Sequence, residues 1–406
     1  MSGHPGTTAG NAREIIEFAL RALPGALDPH ERTVRELRRL PLGDTVAIVA
    51  IGKAARPMTE AALEVLGGRV IAGVVVAPDP APVGDLEIHV GSHPIPDIAS
   101  EEAGRAALRI AAANDHEHLL VLVSGGGSAM AEVPKRPLDI TDLGELTDRL
   151  LRAGTPIDEM NLVRRHLSDI KNGGLSGRSR VPVTTLVISD VSDGPPSLVA
   201  SGPTLHDDSD PLQALAVVER RLGRPVPRAV HTALATAGPR RRNETTVVVA
   251  DRHTAYAEVS HRLARSGLGT SRPIRLEGDA ARMARRMVAM SGLTIGTGET
   301  TVVVTGDGIG GRNQHGALAA AIAISGRADV FGALGTDGVD GPTDAAGAIV
   351  DGTTLDALAA AGVDARDSLA RCDSHSALDA AGSLIRTGPT GTNVADVWVS
   401  YVPATT

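Results

Sequence analysis

Seven apolar runs of strand length, spread along the chain, constrain this sequence more than any other feature. They are Thr45 to Ile51, Val70 to Ala77, His118 to Ser124, Thr184 to Ser189, Thr245 to Ala250, Thr300 to Thr305 and Val330 to Gly335. Each is nearly continuous in aliphatic and β-branched residues, the pattern of a parallel strand covered on both faces. Amphipathic stretches such as Ala103 to Ala113, Arg252 to Ser266 and Ala280 to Met290 lie between them. Strands alternating with helices predict layered α/β architecture rather than a sandwich or barrel of short strands. At roughly 150 residues per domain, 406 residues suffice for two or three domains. The pattern is interrupted from Gly238 to Asn243 by Gly-Pro and three arginines. That places a larger α/β domain before the interruption and a smaller one after it.

The charge balance narrows the function. The formal net charge is −8 and only 1% of the residues are aromatic, which argues against a nucleic-acid binder that stacks bases. No apolar run is long enough to span a bilayer, and Met1 to Gly10 is polar and Gly-rich, without the apolar stretch of a signal peptide. The single cysteine, Cys372, excludes an internal disulfide and fits a reducing compartment. A cytoplasmic protein is expected. Of the basic residues only Lys53, Lys135 and Lys171 are lysines. In so Arg-rich a chain, a retained lysine marks a place where a compact, mobile ammonium is wanted over a planar guanidinium. Lys135 reads as a solvent-exposed exception.

Polar or Gly-rich segments follow the predicted strands at their carboxyl ends, where open α/β sheets bind ligands. They are Gly52-Lys53, Ser124-Gly125-Gly126-Gly127-Ser128, Asp190, Gly306 to Arg312 and Thr336-Asp337-Gly338. Ser124 to Ser128 has the order strand, glycine loop, helix, in which converging backbone N–H groups cradle an anion or simply form a tight turn. Gly306, Gly308 and Gly311 match the spacing of a dinucleotide loop, with Asp329 or Asp337 as the acidic residue further on. Arg312-Asn313-Gln314 follow at once, and a polar cluster at a helix start suits a phosphoryl group better than a dinucleotide. Asp190 is the best-placed carboxylate for a metal ion or a substrate hydroxyl. His93 and His166 lie in motif-like segments and read as structural. There is no Walker A sequence, Cys/His metal cluster or nucleophile elbow.

Together these segments resemble the type 2 glycerate kinases, the ATP-dependent glycerate 2-kinase family with a C-terminal domain of the MOFRL type. The resemblance runs from about Asn11 to the C-terminus. It rests on Gly52-Lys53-Ala54, His93 to Asp97, Ser124 to Ser128, Val163 to Ser168 and Ile188 to Val191. It continues through Ala200 to Thr204, Gly298 to Thr301, Gly310 to Gln314, Gly335 to Gly338 and Gly388 to Asn393. The resemblance implies a larger Rossmann-like three-layer domain over residues 1–240 and a smaller α/β domain over 241–406, with the active site in the cleft between them. It implies ATP, Mg²⁺ and a small hydroxy-acid or polyol acceptor, D-glycerate giving 2-phosphoglycerate. Lys53 and Arg312 match the family's lysine and arginine and Asp190 would act on Mg²⁺ or the acceptor. Nucleotide or substrate contacts would come from Ser124, Gly125, Gly126, Gly127, Ser128, Gly306, Gly308, Gly310, Gly311, Asn313, Thr336 and Asp337. A homodimer is an open option; nucleic acid and membrane partners are not expected. Because relatives also carry the name hydroxypyruvate reductase, NAD(P)H-dependent reduction is the alternative. The chain departs from the family pattern at Gly194 and Pro195, where carboxylate or amide groups are usual, at His315, where glutamate is usual, and at Asn172 to Leu175, which loses a cation. These departures predict that D-glycerate is not the best acceptor.

Overall fold

The computed structural model describes residues 9–191, 194–236 and 244–403. The expected linker, 238–243, and the boundary at 240 lie outside the described residues. Two compact units are present, Pro29–Val249 and a second one formed by Ala250–Thr406 together with Met1–Asp28.

The first unit is built on a six-stranded sheet. Its strands are β1 (Val46–Ile51), β2 (Val70–Ala77), β3 (Glu87–Val90), β4 (His118–Val123), β5 (Val183–Ile188) and β6 (Glu244–Ala250), in the order β3-β2-β1-β4-β5-β6. β1 pairs in parallel with both β2 and β4, and the β2–β3 and β4–β5 pairs are parallel too. This is the strand order of doubly wound nucleotide-binding sheets, whose topological switch point falls between β1 and β4. Every residue of β1, β4 and β5 is buried, as the continuous apolar runs require. The helices Ala55–Leu66 and Ile98–Ala112 connect these strands and present Ala61, Ala62, Ala103, Ala106 and Ala107 to the core. Such small side chains let the helices lie close to a sheet of Val, Leu and Ile.

The second unit holds β7 (Ser271–Leu276), β8 (Gly292–Gly298), β9 (Val330–Gly335), β10 (Gly347–Asp351), β11 (Leu384–Ile385) and β12 (Asp396–Val402), in the order β11-β10-β9-β12-β8-β7. Only the β7–β8 pair is parallel; β12 runs antiparallel to β8 and β9, and β10 antiparallel to β9 and β11. Here the expectation of parallel strands is corrected. Burial on both faces yields the same apolar run in either direction, so the run does not encode direction. The chain's single Trp398 packs edge-on against Phe331, ring centroids 5.5 Å apart.

Three further expectations are corrected. Thr300 to Thr305 is not a strand: apart from an isolated bridge between Asp279 and Thr301 it is irregular, with Val303 and Val304 77% and 71% exposed. The strand of that region is β8, whose three glycines hide its β character. Sequence position also misassigned both edges of the first domain. β6, beyond residue 240, completes the first sheet, whereas the N-terminal helix Ala9–Arg21 belongs to the second unit. It docks Ile16 and Leu20 over Gly332 of β9, where a side-chain Cβ would come within 2.6 Å of Leu20 Cδ1. Arg13 joins Asp351 at the end of β10, Nη1 to Oδ2 2.7 Å. Lastly, Lys135 is not exposed: it is 4% accessible.

Candidate functional site

At the switch point, the chain leaving β1 turns on Gly52, whose φ of +121° belongs to glycine. A Cβ there would lie 2.5 Å from both Ser124 O and Ser124 Oγ, at the end of β4. The two strand ends are then bonded together. Lys53 N–H donates to Gly125 O at 3.0 Å, and Ala54 N–H donates to the buried Ser124 Oγ at 2.9 Å. Lys53 itself is exposed, and its aliphatic stem passes over Gly126, where a Cβ would be 3.3 Å from Lys53 Cγ.

The glycine loop is shaped by what lies against it. A methyl group on Gly125 would overlap the carboxylate of Asp190, and one on Gly127 would sit 2.9 Å from Ile51 Cγ2 and 2.8 Å from Ala200 Cβ. Asp190, at the end of β5, therefore lies on the backbone of the loop that also carries the Lys53 stem. The helix that follows is a single turn, Gly127–Met130. Ser128 Oγ shares a 2.9 Å hydrogen bond with Ser201 Oγ, so one hydroxyl of the cradle is held by the neighbouring segment. Lys53, Ser124 to Ser128 and Asp190 are thus gathered in one crevice.

Two cationic or titratable neighbours were underrated by sequence. Arg164, on the helix Ile157–His166, is buried and donates from Nη2 to Pro94 O at 3.1 Å. Beside it His93 is pushed below its ordinary pKa, first by burial and then by the charges of Lys53 and Arg164, so it stands neutral at pH 7. The motif-like setting of His93 was the available signal; its nearness to the charge of Lys53, 40 residues earlier, was not.

The second unit carries Arg312 and the glycine-rich segment before it. No strand precedes Gly306, so the dinucleotide-loop context is absent. Gly306, Gly308 and Gly310 instead admit close approach of Arg371, Asp373 and Ser374, and Gly311 that of Asp340. Gly308 N–H donates to Arg371 O at 3.0 Å, and Ile309 N–H to Asp373 Oδ1 at 3.2 Å. The helix Arg312–Ile324 begins here, and its first free N–H groups are already taken: Asn313 N–H and Gln314 N–H donate to Asp340 Oδ1 and Oδ2 at 3.0 and 2.8 Å. A protein carboxylate occupies the place where an anionic ligand was expected.

Arg312 is clamped. Its Nε and Nη2 reach Asp396 Oδ2 and Oδ1 at 2.5 and 3.2 Å, and its Nη1 pairs with Glu299. Burial works against its charge, but Asp396, Glu299 and Asp340 hold the guanidinium above its ordinary pKa. Asn313 is spent structurally, donating to Asp340 and Asp396 and accepting from Trp398 Nε1 at 2.6 Å. The side-chain hydroxyl of Thr336 donates to Ala395 O at 2.7 Å, while Asp337 Oδ1 accepts from Val339 N–H at 3.2 Å. Asp329 is buried beside Arg327. Among the departures, His315 is buried, and its pKa is lowered chiefly by that burial.

The strand order and the residues gathered at the carboxyl ends of the first sheet describe an α/β protein of two sheets. The chain matches DUF4147, described as a domain of unknown function, over residues 11–235, and the MOFRL family over 292–396. It is 38% identical over 395 residues to the D-glycerate 2-kinase of Thermotoga maritima, covering 92% of this chain and 94% of that protein. A protein of Agrobacterium vitis named for hydroxypyruvate reduction is 34% identical over 417 residues, covering 95% of this chain and 94% of that one. A crystal structure of glycerate kinase from Thermotoga maritima superposes with a TM-score of 0.90 at 35% identity, covering 96% of this chain and 99% of that one. This chain belongs to the type 2 glycerate kinase family.

Proposed function

We propose that this protein transfers the γ-phosphoryl group of ATP to a hydroxyl of a small hydroxy acid, D-glycerate giving 2-phosphoglycerate. The observation that carries this reading is the crevice at the β1–β4 switch point, where Lys53 overhangs a glycine loop bounded by Asp190. Phosphoryl transfer asks little covalent help of a protein; positioning and neutralisation of charge do most of the work. Lys53 would neutralise the transferring group, its flexible stem following the phosphorus from donor to acceptor oxygen. The resemblance assigns a like role to Arg312, whose guanidinium would exchange one of its carboxylate partners for a phosphoryl oxygen. Ser124 to Ser128 would receive a phosphate or the acceptor's carboxylate. Asp190 would hold Mg²⁺ or orient the acceptor hydroxyl.

Among the described residues no cluster of three or more His, Cys, Asp or Glu side chains is arranged to hold a metal ion. Mg²⁺ needs less, since it binds through one or two carboxylates, substrate phosphates and water. One carboxylate against a phosphate-sized loop fits that donor set, with Asp190 as the protein ligand; the ion would supply charge neutralisation on the ATP phosphates.

Incubation with ATP, Mg²⁺ and D-glycerate should release ADP in step with 2-phosphoglycerate. Consumption of NAD(P)H with hydroxypyruvate and no ADP under any acceptor would overturn the proposal in favour of the reductase. The irregular segment before Gly306 and the side chains packed on its glycines speak against a dinucleotide there.

A further inference from the structure

Apart from the Lys53 crevice, the first unit contains a cavity of about 250 Å³ lined among others by Lys135, Arg165, His166, Lys171, His206 and Ser209. Among the described residues it shares no lining residue with the glycine loop, Lys53 or Asp190, and no carboxylate lines it. Two of the chain's three lysines are committed to it.

The charges around it are unevenly compensated. Lys171 is held in a buried ion pair with Glu132, whose other oxygen accepts from Ser168. Arg165, 7% exposed, pairs through Nη1 with Asp207 Oδ2 at 2.5 Å, yet its buried Nε has no hydrogen-bond partner among the described residues. Lys135, 4% exposed, reaches only as far as Thr236 O at 3.4 Å, the long limit of a hydrogen bond. Burial disfavours the charge of Lys135 and Arg165 alike, with Asp169 and Asp207 offsetting it in part. His166 is neutral, its pKa lowered to about 4 by burial and then by Lys135, and Nε2 is engaged with Ser209 Oγ at 2.9 Å. Buried cations with donors left over are costly unless an anion completes them.

We infer that this cavity binds a small oxyanion, a carboxylate or phosphate carried on a metabolite of a few carbons, with Lys135 Nζ as its donor and the Arg165 guanidinium as a second positive charge beside it. Its volume of about 250 Å³ lies just below the range of roughly 300–1,000 Å³ that houses drug-sized ligands and suits a small anion. The inference does not depend on the kinase reading.

The test is calorimetric titration of the full-length Lys53→Ala protein, which weakens anion binding in the crevice, with inorganic phosphate and separately with acetate. At least one anion should bind, and Lys135→Met on that background should weaken it by about tenfold or more, as loss of a charge-assisted donor implies. Ala235→Phe, on the exposed rim of the cavity, should abolish binding without removing a buried charge. Phosphate binding alone assigns a phosphoryl ligand, acetate alone a carboxylate. The inference fails if neither anion binds below about 10 mM, an affinity near 3 kcal/mol, or if both Lys135→Met and Ala235→Phe bind as the parent does.

Discussion

Replacing Lys53 and Arg312 separately by alanine should give similar kinetic defects, but only the second should cost stability. Lys53 is exposed, and its main-chain bond to Gly125 O survives in alanine. Lys53→Ala therefore removes only a mobile charge and a stem lying on Gly126. Loss of one electrostatic contact to a transferring group typically costs about 3–4 kcal/mol, a fall of roughly 10²–10³ in kcat/KM, with the thermal midpoint unchanged. Arg312→Ala removes the same kind of contact and also strips Asp396, itself 2% exposed, of its bidentate partner. Leaving a buried carboxylate uncompensated costs several kcal/mol; with Arg312 about a third exposed the loss is about 2–3 kcal/mol. In a unit of this size that is roughly 5–10 °C. ADP release under varied D-glycerate, alongside melting curves, reads both effects. Near-normal turnover of Lys53→Ala would refute the reasoning, and an unchanged melting curve for Arg312→Ala would refute the clamp.

Three further outcomes follow from particular contacts. Gly125→Ala must push the Asp190 carboxylate off the loop, so kcat should fall by about tenfold or more while β4, fully buried, keeps the fold; comparison of ADP release and circular dichroism checks it. His166 has its pKa lowered to about 4 by burial, below the unfolded value, so the unfolded chain binds the extra proton first as pH falls. Stability should be full above about pH 6.5 and decline towards pH 4 by about 2 kcal/mol, a slope that His166→Gln should flatten in urea titrations. Ile16→Ala, at the contact of the N-terminal helix with Gly332, should destabilise the second unit by about 2–4 kcal/mol in denaturant unfolding.

What sequence made legible is what local chemistry dictates. The β1, β4 and β5 runs are apolar throughout because both faces are covered, and the polar residues that follow them must leave the sheet at one edge. Gly52-Lys53, the glycine loop and Asp190 were therefore readable as neighbours before any coordinates. Other features depend on distant partners. Nothing in Gly306 to Gly311 announces that Arg371, Asp373 and Ser374 will pack on it, and nothing near Arg312 announces Asp340 and Asp396, 28 and 84 residues on. An amphipathic N-terminal helix carries no mark of which sheet it will cover. Lys135 looked exposed because Pro134 and Arg136 flank it, yet its neighbours across the cavity come from the segments around Arg165 and Thr236.

The departures from the family pattern take on a different meaning once placed. At Gly194 the backbone has φ of +116°, and a Cβ would lie 2.5 Å from Leu198 Cδ1, so glycine answers to a turn. Ser192 and Asp193 lie outside the described residues. His315, which stands where glutamate is usual, is buried, and the charges it feels most are Asp279 and Arg285. Neutral at pH 7, it withdraws one negative charge relative to glutamate but adds no positive one. An acceptor of different charge is therefore not called for by His315, and the turn at Gly194 is satisfied by glycine for its own geometric reason. The argument against D-glycerate then rests on Pro195 and on the cation missing from Asn172 to Leu175. Asn172 is itself engaged, accepting from Asp207 N–H at 2.8 Å, on the wall of the oxyanion cavity rather than in the Lys53 crevice. A lost cation there alters the second anion site before it alters the acceptor, so D-glycerate should show the highest kcat/KM in a panel of sugar acids and cyclitols. A cyclitol or longer sugar acid outrunning it would return the weight to the loop at Pro195.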